Sequence, residues 1–347
     1  MDVGVGATPA AVQPPAAPVP RAPVPAAFRA VDATFVSAQQ GWVLVTDPDG
    51  GHAQPLRTRD RGQHFGALPP IGAQVDQLRF ADSNDGFASS NQAPLLRVTH
   101  DAGATWNAVP VPAPVLALEP GAGAVWLLTG QRDRPVQLLR IDPAGSTTAQ
   151  VATVPAAGDV TLVVHGSHVY VLAELDQRGT DRPVLLSLQE GRLVRHDVPC
   201  RRDDFGIAGA ASGDLDLAVV CASQPGAGEQ LKSIVTTADG GSSWTRDPDR
   251  APISGYVDSV AATQDGTFLT GGRAVVSVTR DAGRSWQTAY AGSGGAGGPL
   301  AVGFTDDQHG FAVGELSDSA TGLTLSDDGG RSWREVLRRL PAGVFAR

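Results

Sequence analysis

The chain of 347 residues carries 27 basic against 36 acidic side chains, a formal net charge of −9, and Lys232 is its one lysine. Gly 42 and Pro 26 with only 5% aromatic residues exclude a coiled coil or helical bundle, and glycines without a period of three exclude collagen. The acidic balance argues against a phosphate-backbone binder, so nucleic acid is not an expected partner, and no apolar run reaches the roughly 18 residues of a membrane span.

Residues 1–27 are rich in Ala, Val and Pro, including Pro14, Pro15, Pro18, Pro20, Pro23 and Pro25, and read as an extended, solvated tether ahead of a folded unit at 28–347. No basic and then apolar leader follows Met1. A Pro/Ala tether before a β domain is nonetheless what an exported protein retains, so the expected setting is extracellular or the cell envelope. Cys200 and Cys221 are the only cysteines. They fit one disulfide in an oxidising compartment, with two buried thiols as the alternative.

Strands are expected in the first unit near 31–36, 42–46, 54–58 and 64–67, and the last two flank an octapeptide that recurs along the sequence. It runs Thr58-Arg-Asp60-Arg-Gly62-Gln-His-Phe65, then Thr99 to Trp106 around Asp101, Thr237 to Trp244 around Asp239, Thr279 to Trp286 around Asp281, and Ser326 to Trp333 around Asp328. The pattern is Ser/Thr-x-Asp-x-Gly-x-x-aromatic. Its Asp positions lie 41, 42 and 47 apart (60 to 101, 239 to 281, 281 to 328), and the gap of 138 from 101 to 239 holds two eroded copies, at Asp142 to Gly145 and Glu190-Gly191. A second motif precedes each octapeptide, most clearly as Phe35 to Gly41-Trp42, Phe80 to Gly86-Phe87 and Phe304 to Gly310-Phe311.

Seven units of about 46 residues, each of four short strands, predict an all-β, seven-bladed β-propeller of antiparallel blades with Asp-containing turns. A single blade cannot cover both faces of its own sheet, so the units must close around an axis, which also removes exposed edges. In the octapeptide the Asp carboxylate is expected to accept backbone N–H groups of the turn, the Gly to take a positive φ, and the aromatic to open the fourth strand and wedge between sheets. A catalytic carboxylate is not needed seven times. The structural set is therefore Asp60, Asp101, Asp239, Asp281 and Asp328 with Trp106, Trp244, Trp286 and Trp333.

These motifs resemble the Asp-box, or BNR, repeat of sialidases, sortilin-type receptors, xyloglucan-degrading propellers and photosystem II stability/assembly factor-like proteins. The paired Phe…Gly turn, the seven units and the overall length are most similar to the last group, which implies a scaffold or assembly role. A sialidase resemblance implies six blades and an Arg-Ile-Pro motif, and Phe28-Arg29-Ala30-Val31 lacks Ile-Pro. The xyloglucan-degrading relatives imply a cleft between two tandem propellers, whereas this sequence holds one.

Ligand sites in propellers open on the face opposite the octapeptides or at the central channel. The segments mapping there form a rim of alternating Arg and carboxylate: Arg132, Asp133, Arg134, Asp176, Arg178, Asp181, Arg182, Arg201, Arg202, Arg273 and Glu315. Arg forks suit carboxylate, phosphate and peptide recognition, with solvated surface ion pairs as the plainer reading. Pairs such as Asp176 with Asp181 or Asp203 with Glu315 would serve glycoside hydrolysis at about 5–10 Å separation.

Other chemistry is weak. Asp47-x-Asp49-Gly50 lacks the remaining ligands of a calcium loop, and His165 with His168 supply two ligands where zinc needs three, so no metal is expected. The Gly-rich run 292–298 has no following Lys-Ser/Thr, and no Gly-x-Ser-x-Gly elbow occurs, so neither a cofactor nor a catalytic residue is assigned. A hairpin centred near Ser212-Gly213 places Asp204 opposite Cys221 and leaves Cys200 to fold back for the disulfide. The expectation is an exported, monomeric, non-catalytic propeller binding a protein or surface glycan through its loop face, with a glycoside hydrolase using two rim carboxylates as the competing class.

Overall fold

The computed structural model describes residues 24–132, 134–142, 147–155, 158–175, 183–201, 204–223, 230–246, 251–253, 257–272, 275–292, 300–317 and 320–339. Among the described residues every regular element is a strand, and the strands form seven antiparallel sheets at 29–67, 77–108, 115–154, 160–197, 204–253, 259–291 and 300–339. The seven-bladed propeller predicted from the repeats is the fold. Within each blade the strands pair in sequence order. Blade 1 holds β1 (Arg29–Phe35), β2 (Gly41–Thr46), β3 (Ala53–Thr58) and β4 (Gly66–Ala67), so its outer strand starts just after Phe65 rather than at it. In blade 5 the outer position is split between Thr245–Arg246 and Ala251–Ile253, both paired with Gln230–Thr237.

The first strands of successive blades lie side by side around the axis. Each second strand is covered on both faces by neighbouring blades, which is why these strands read as unbroken apolar runs rather than alternating ones. β2 is buried at every position, as are Ala124–Thr129 and Leu217–Ser223. A hydrophobic cluster fills each seam. At the seam of blades 1 and 2, Trp42 and Leu44 meet Leu78, Phe80 and Ala88, the Trp42 and Phe80 rings stack at 3.7 Å, and the Trp42 indole N–H donates to the Ala102 carbonyl at 3.2 Å.

The second sequence motif has a packing cause. Phe35, Phe80 and Phe304 pair across the hairpin with Gly41, Gly86 and Gly310. A Cβ on Gly41 would lie 2.4 Å from the Phe35 ring and one on Gly86 2.5 Å from the Phe80 ring. The aromatic ring lies over the glycine, and no side chain fits there.

The inner strands also bridge blades through side chains. The Asp32 carboxylate accepts the Leu78 N–H at 2.8 Å and Ser259 Oγ accepts the Val302 N–H at 2.9 Å. At the closing seam, Ala30 donates its N–H to Thr321 Oγ1 at 2.9 Å, and that hydroxyl donates to the Phe28 carbonyl at 3.3 Å. Phe28, Ala30, Val43 and Val45 pack there on Val313, Leu323, Leu325 and Leu337. Arg61 reaches across to the Ser326 carbonyl at 3.1 Å and pairs with Asp327.

The sequence leaves open a strand near Phe28 or at 341–346 that completes the last blade. The structure differs: blade 7 fills its outer position with its own Arg334–Arg339, blade 1 is built wholly from 29–67, and Phe28 closes the ring by packing. Residues 341–346 lie outside the described residues, as do 1–23 of the tether.

Candidate functional site

The two faces of the ring differ in chemistry. On one face stand the octapeptide turns, built alike in blades 1, 2, 5, 6 and 7. In blade 6 the Thr279 hydroxyl donates to Asp281 Oδ1 at 2.9 Å and accepts the Gly283 N–H at 2.9 Å, while Asp281 accepts the Ser285 N–H and hydroxyl at 2.9 and 2.6 Å. The same contacts recur around Asp60, Asp101, Asp239 and Asp328. Hydrogen bonds from Ser285, hydroxyl and then backbone, hold the Asp281 carboxyl at about 2, and those from Ser243 do the same for Asp239. These lone pairs are committed to the turn, which leaves little to offer a ligand.

Two features of the turn are absent from the sequence pattern. The residue before the Gly also takes a left-handed conformation, with φ of 59° at Arg61 and 62° at Ala102. The position before the aromatic, an unspecified x in the pattern, is His64, Thr105, Ser243, Ser285 or Ser332, and in each case its side chain binds the second Asp oxygen. The eroded copy in blade 4 is a two-residue hairpin with φ of 48° at Glu190 and 77° at Gly191, a type I′ geometry. Of blade 3's copy, Asp142 to Gly145, only Asp142 is among the described residues.

On the opposite face, loops of blades 2, 3 and 4 border an open polar cavity of about 410 Å³. Its wall holds the carboxamides of Asn91, Gln92 and Gln131 and the ion pair of Arg132 with Asp159 at 3.1 Å, above Pro114, Leu116 and Val160. The loop carrying Asn91 and Gln92 is held from below. Asp76 accepts the Asn91 N–H through both oxygens at 3.1 Å, and Ser90 Oγ accepts the N–H groups of Gln92 and Ala93 at 3.1 and 3.2 Å. Burial, with Asp32 adding to it, outweighs the Asn91 bond and pushes the Asp76 carboxyl up to about 6. Ser89 Oγ and Thr129 Oγ1, just ahead of these loops in the second strands, are buried with no hydrogen-bond partner among the described residues.

In the channel, Arg79 bridges three blades. Its guanidinium donates to Asp32 at 2.7 Å and to Glu119 at 3.1 Å. Burial works against the Arg79 charge but Asp32 and Glu119 outweigh it and raise its pKa, while burial also raises that of Glu119. Sequence reading missed this network, because inward-facing positions of the first strands carry no motif.

Of the rim residues singled out from sequence, Arg132, Arg134, Arg201 and Glu315 are described. Arg132 faces Asp159, which the sequence reading had not singled out, and the Arg134 N–H donates to the Gln131 carbonyl in the same loop. Arg201 donates its backbone N–H to Asp204 at 2.6 Å, and Glu315 sits at the end of the blade 7 second strand, opposite Thr321. Asp133, Asp176, Arg178, Asp181, Arg182, Arg202, Asp203 and Arg273 lie outside the described residues, and with them both members of the Asp176–Asp181 pair and one member of the Asp203–Glu315 pair considered for hydrolysis. The calcium-like turn holds Asp47 against His52 at 2.9 Å, and His165 pairs with Asp214 of the next blade at 3.1 Å rather than with His168.

Cys200 and Cys221 are joined, with Cα atoms 5.5 Å apart. The predicted register is off: Cys221 faces Ile207 and Asp204 faces Ser223, because the hairpin turns around Asp214 and a bulge falls between Phe205 and Ile207. Cys200, Asp204 and Cys221 place their sulfur and oxygen atoms within 4.8 Å of one another, but the sulfurs are spent in the disulfide.

The sequence matches no family model and no curated protein. Its fold is shared with solved structures. YCF48 bound to D1 peptide matches at 17% identity over 88% of this protein and 95% of that one, with a TM-score of 0.59. YCF48 from Cyanidioschyzon merolae matches at 16% over 94% and 99%, with a TM-score of 0.56. Puromycin hydrolase matches at 14% over 91% of this protein and 54% of that one, with a TM-score of 0.62. The resemblance to photosystem II assembly factor-like propellers thus holds for the fold, which binding proteins and hydrolases share.

Proposed function

We propose that this protein is a non-catalytic propeller that binds a protein partner through its loop face, in an exported or cell-envelope setting. The observation that carries the reading is the polar cavity at the junction of blades 2, 3 and 4, on the face opposite the self-satisfied octapeptide turns. Its carboxamides and ion pair match the donors and acceptors of a peptide, and its loops are braced before any ligand arrives. A YCF48 structure of the same fold is described as bound to D1 peptide, which supports a peptide as ligand. The buried disulfide supports an oxidising compartment.

The test is capture of partners from native envelope by the full-length protein, repeated with Arg132, Arg134 and Arg182 changed to Glu. Loss of a partner on this change supports the loop face, and unchanged partners refute it. Incubation with a glycan panel addresses the hydrolase alternative: turnover abolished by Asp→Asn at a rim position would replace the binding reading.

A further inference from the structure

Arg132 and Asp159 come from different blades and meet at the mouth of the cavity, where their side chains are 72% and 47% exposed. An ion pair this open contributes little to stability, so either partner can be exchanged for another group of the same charge at small cost. Among the described residues the rest of the wall is uncharged: beside the apolar Pro114, Leu116 and Val160, the residues Asn91, Gln92 and Gln131 each offer a carbonyl and an amide, the groups that an extended peptide backbone pairs with. Gly130 and Gly158 place no side chain at the edge, and among the described residues no aromatic ring lines the cavity to stack on a sugar. The two buried hydroxyls beneath the loops, Ser89 and Thr129, lack partners among the described residues, which marks this end of blades 2 and 3 as polar beyond what the fold itself satisfies.

We propose that the cavity receives a carboxylate of an extended peptide, from an Asp or Glu side chain or from a free C-terminus, and that this carboxylate takes Arg132 from Asp159. Asp159 is then an internal stand-in for the ligand, holding the guanidinium in place and competing for it. The proposal rests on the loop-face binding reading and adds to it the ligand's chemistry and the opposed roles of the two side chains. Arg is suited to the exchange because its planar fork binds a carboxylate by two parallel hydrogen bonds.

The experiment uses the full-length protein on an array of random octapeptides made in three forms: with a central Glu and an amidated end, with that Glu replaced by Gln, and with Gln and a free C-terminus. Peptides that bind are then measured in solution by fluorescence anisotropy. Binding is expected in the Glu form, the free C-terminal form or both, which distinguishes the two carboxylate sources, and it falls about tenfold or more in the amidated Gln form. Arg132→Gln lowers affinity by about tenfold, whereas Asp159→Asn raises it about two- to fivefold by removing the competitor.

The opposite signs are the decisive readout. A pair that only pins blade 3 to blade 4 would give equal losses of thermal stability in the two variants and no such split in binding. Equal weakening by both variants, or an array with no carboxylate-dependent peptide, overturns the proposal. Envelope partners lost with the triple Arg→Glu protein but retained by Arg132→Gln would sink this cavity while leaving loop-face binding in place.

Discussion

Thr321→Val tests how the ring is closed. No strand from the other end of the sequence is woven into blade 1 or blade 7 among the described residues, so their seam depends on packing and on side-chain hydrogen bonds. Thr321 supplies two of these, accepting from the Ala30 N–H and donating to the Phe28 carbonyl. Valine keeps the volume but presents a methyl to a buried donor and acceptor, which costs about 1–3 kcal/mol. Phe28→Ala at the same seam removes a side chain only 1% exposed and costs about 3–5 kcal/mol. Because the two residues touch, their double mutant should fall short of the summed single effects. Urea unfolding gives the stabilities and amide hydrogen exchange locates the loss: the Ala30 amide should lose about tenfold or more of its protection, while the Val302 amide, bonded to Ser259 at the seam of blades 6 and 7, keeps its own. A Thr321→Val protein within about 0.5 kcal/mol of wild type, or one whose Val302 amide opens as readily as Ala30, would refute the claim that this contact holds the seam.

Gly86→Ala should destabilise by about 1–3 kcal/mol in urea unfolding, since its Cβ would lie 2.5 Å from the Phe80 ring, and Phe80→Leu in the same protein should recover part of that loss. Reducing the disulfide, or replacing Cys200 and Cys221 with Ala, should cost about 3 kcal/mol for a link spanning 21 residues, read as a lower midpoint in a thermal scan with and without reductant. Stability should also pass through a maximum near pH 4–5. Asp239 and Asp281, held at about 2, stabilise above the ordinary carboxylate range and lose that contribution as pH falls toward 2. Asp76, pushed up to about 6, acts in reverse: its contribution is complete below about 4 and is lost as pH rises through 6. Asp76→Asn should therefore flatten the melting-temperature profile between pH 4 and 7 and leave the acid limb unchanged. A profile of the same slope in both proteins would show that burial at Asp76 is not felt.

The ring was legible because each seam repeats one solution in the sequence. Octapeptides at Asp60, Asp101, Asp239, Asp281 and Asp328 give the period, and apolar runs such as Val125 to Leu128 mark strands buried on both faces. The cavity was only half legible. Arg132 was visible as a charged residue in a loop, but Asp159, Asn91 and Gln131 belong to links whose spacing carries no motif, and only the ring's curvature brings them together. Asp32, Arg79 and Glu119 were hidden for a related reason: each stands in a different strand with no motif around it, and their contact is between blades. The register error at Cys221 lies in the turn: the hairpin centres on Asp214 rather than on Ser212-Gly213, which sets Cys221 against Ile207 instead of Asp204, and the bulge between Phe205 and Ile207 falls beyond that pair.

The two faces of the ring divide their polar groups in a way that bears on where recognition can evolve. On the octapeptide face the carboxylates are largely engaged by their own turns, so changing a neighbouring residue there disturbs the hairpin before it creates a ligand contact. On the opposite face the links at 90–93, 130–132 and 158–159 contribute no strand to any sheet. In the first of these links the hydrogen bonds to Asp76 and Ser90 fix the backbone, and Asn91 and Gln92 line the cavity together with Gln131. Exchanges among those side chains should alter binding with little change in stability. Ala at Asn91 and Gln131 should shift the melting temperature far less than Ala at Asp76, and equal losses at all three would mean that the cavity wall is part of the scaffold instead.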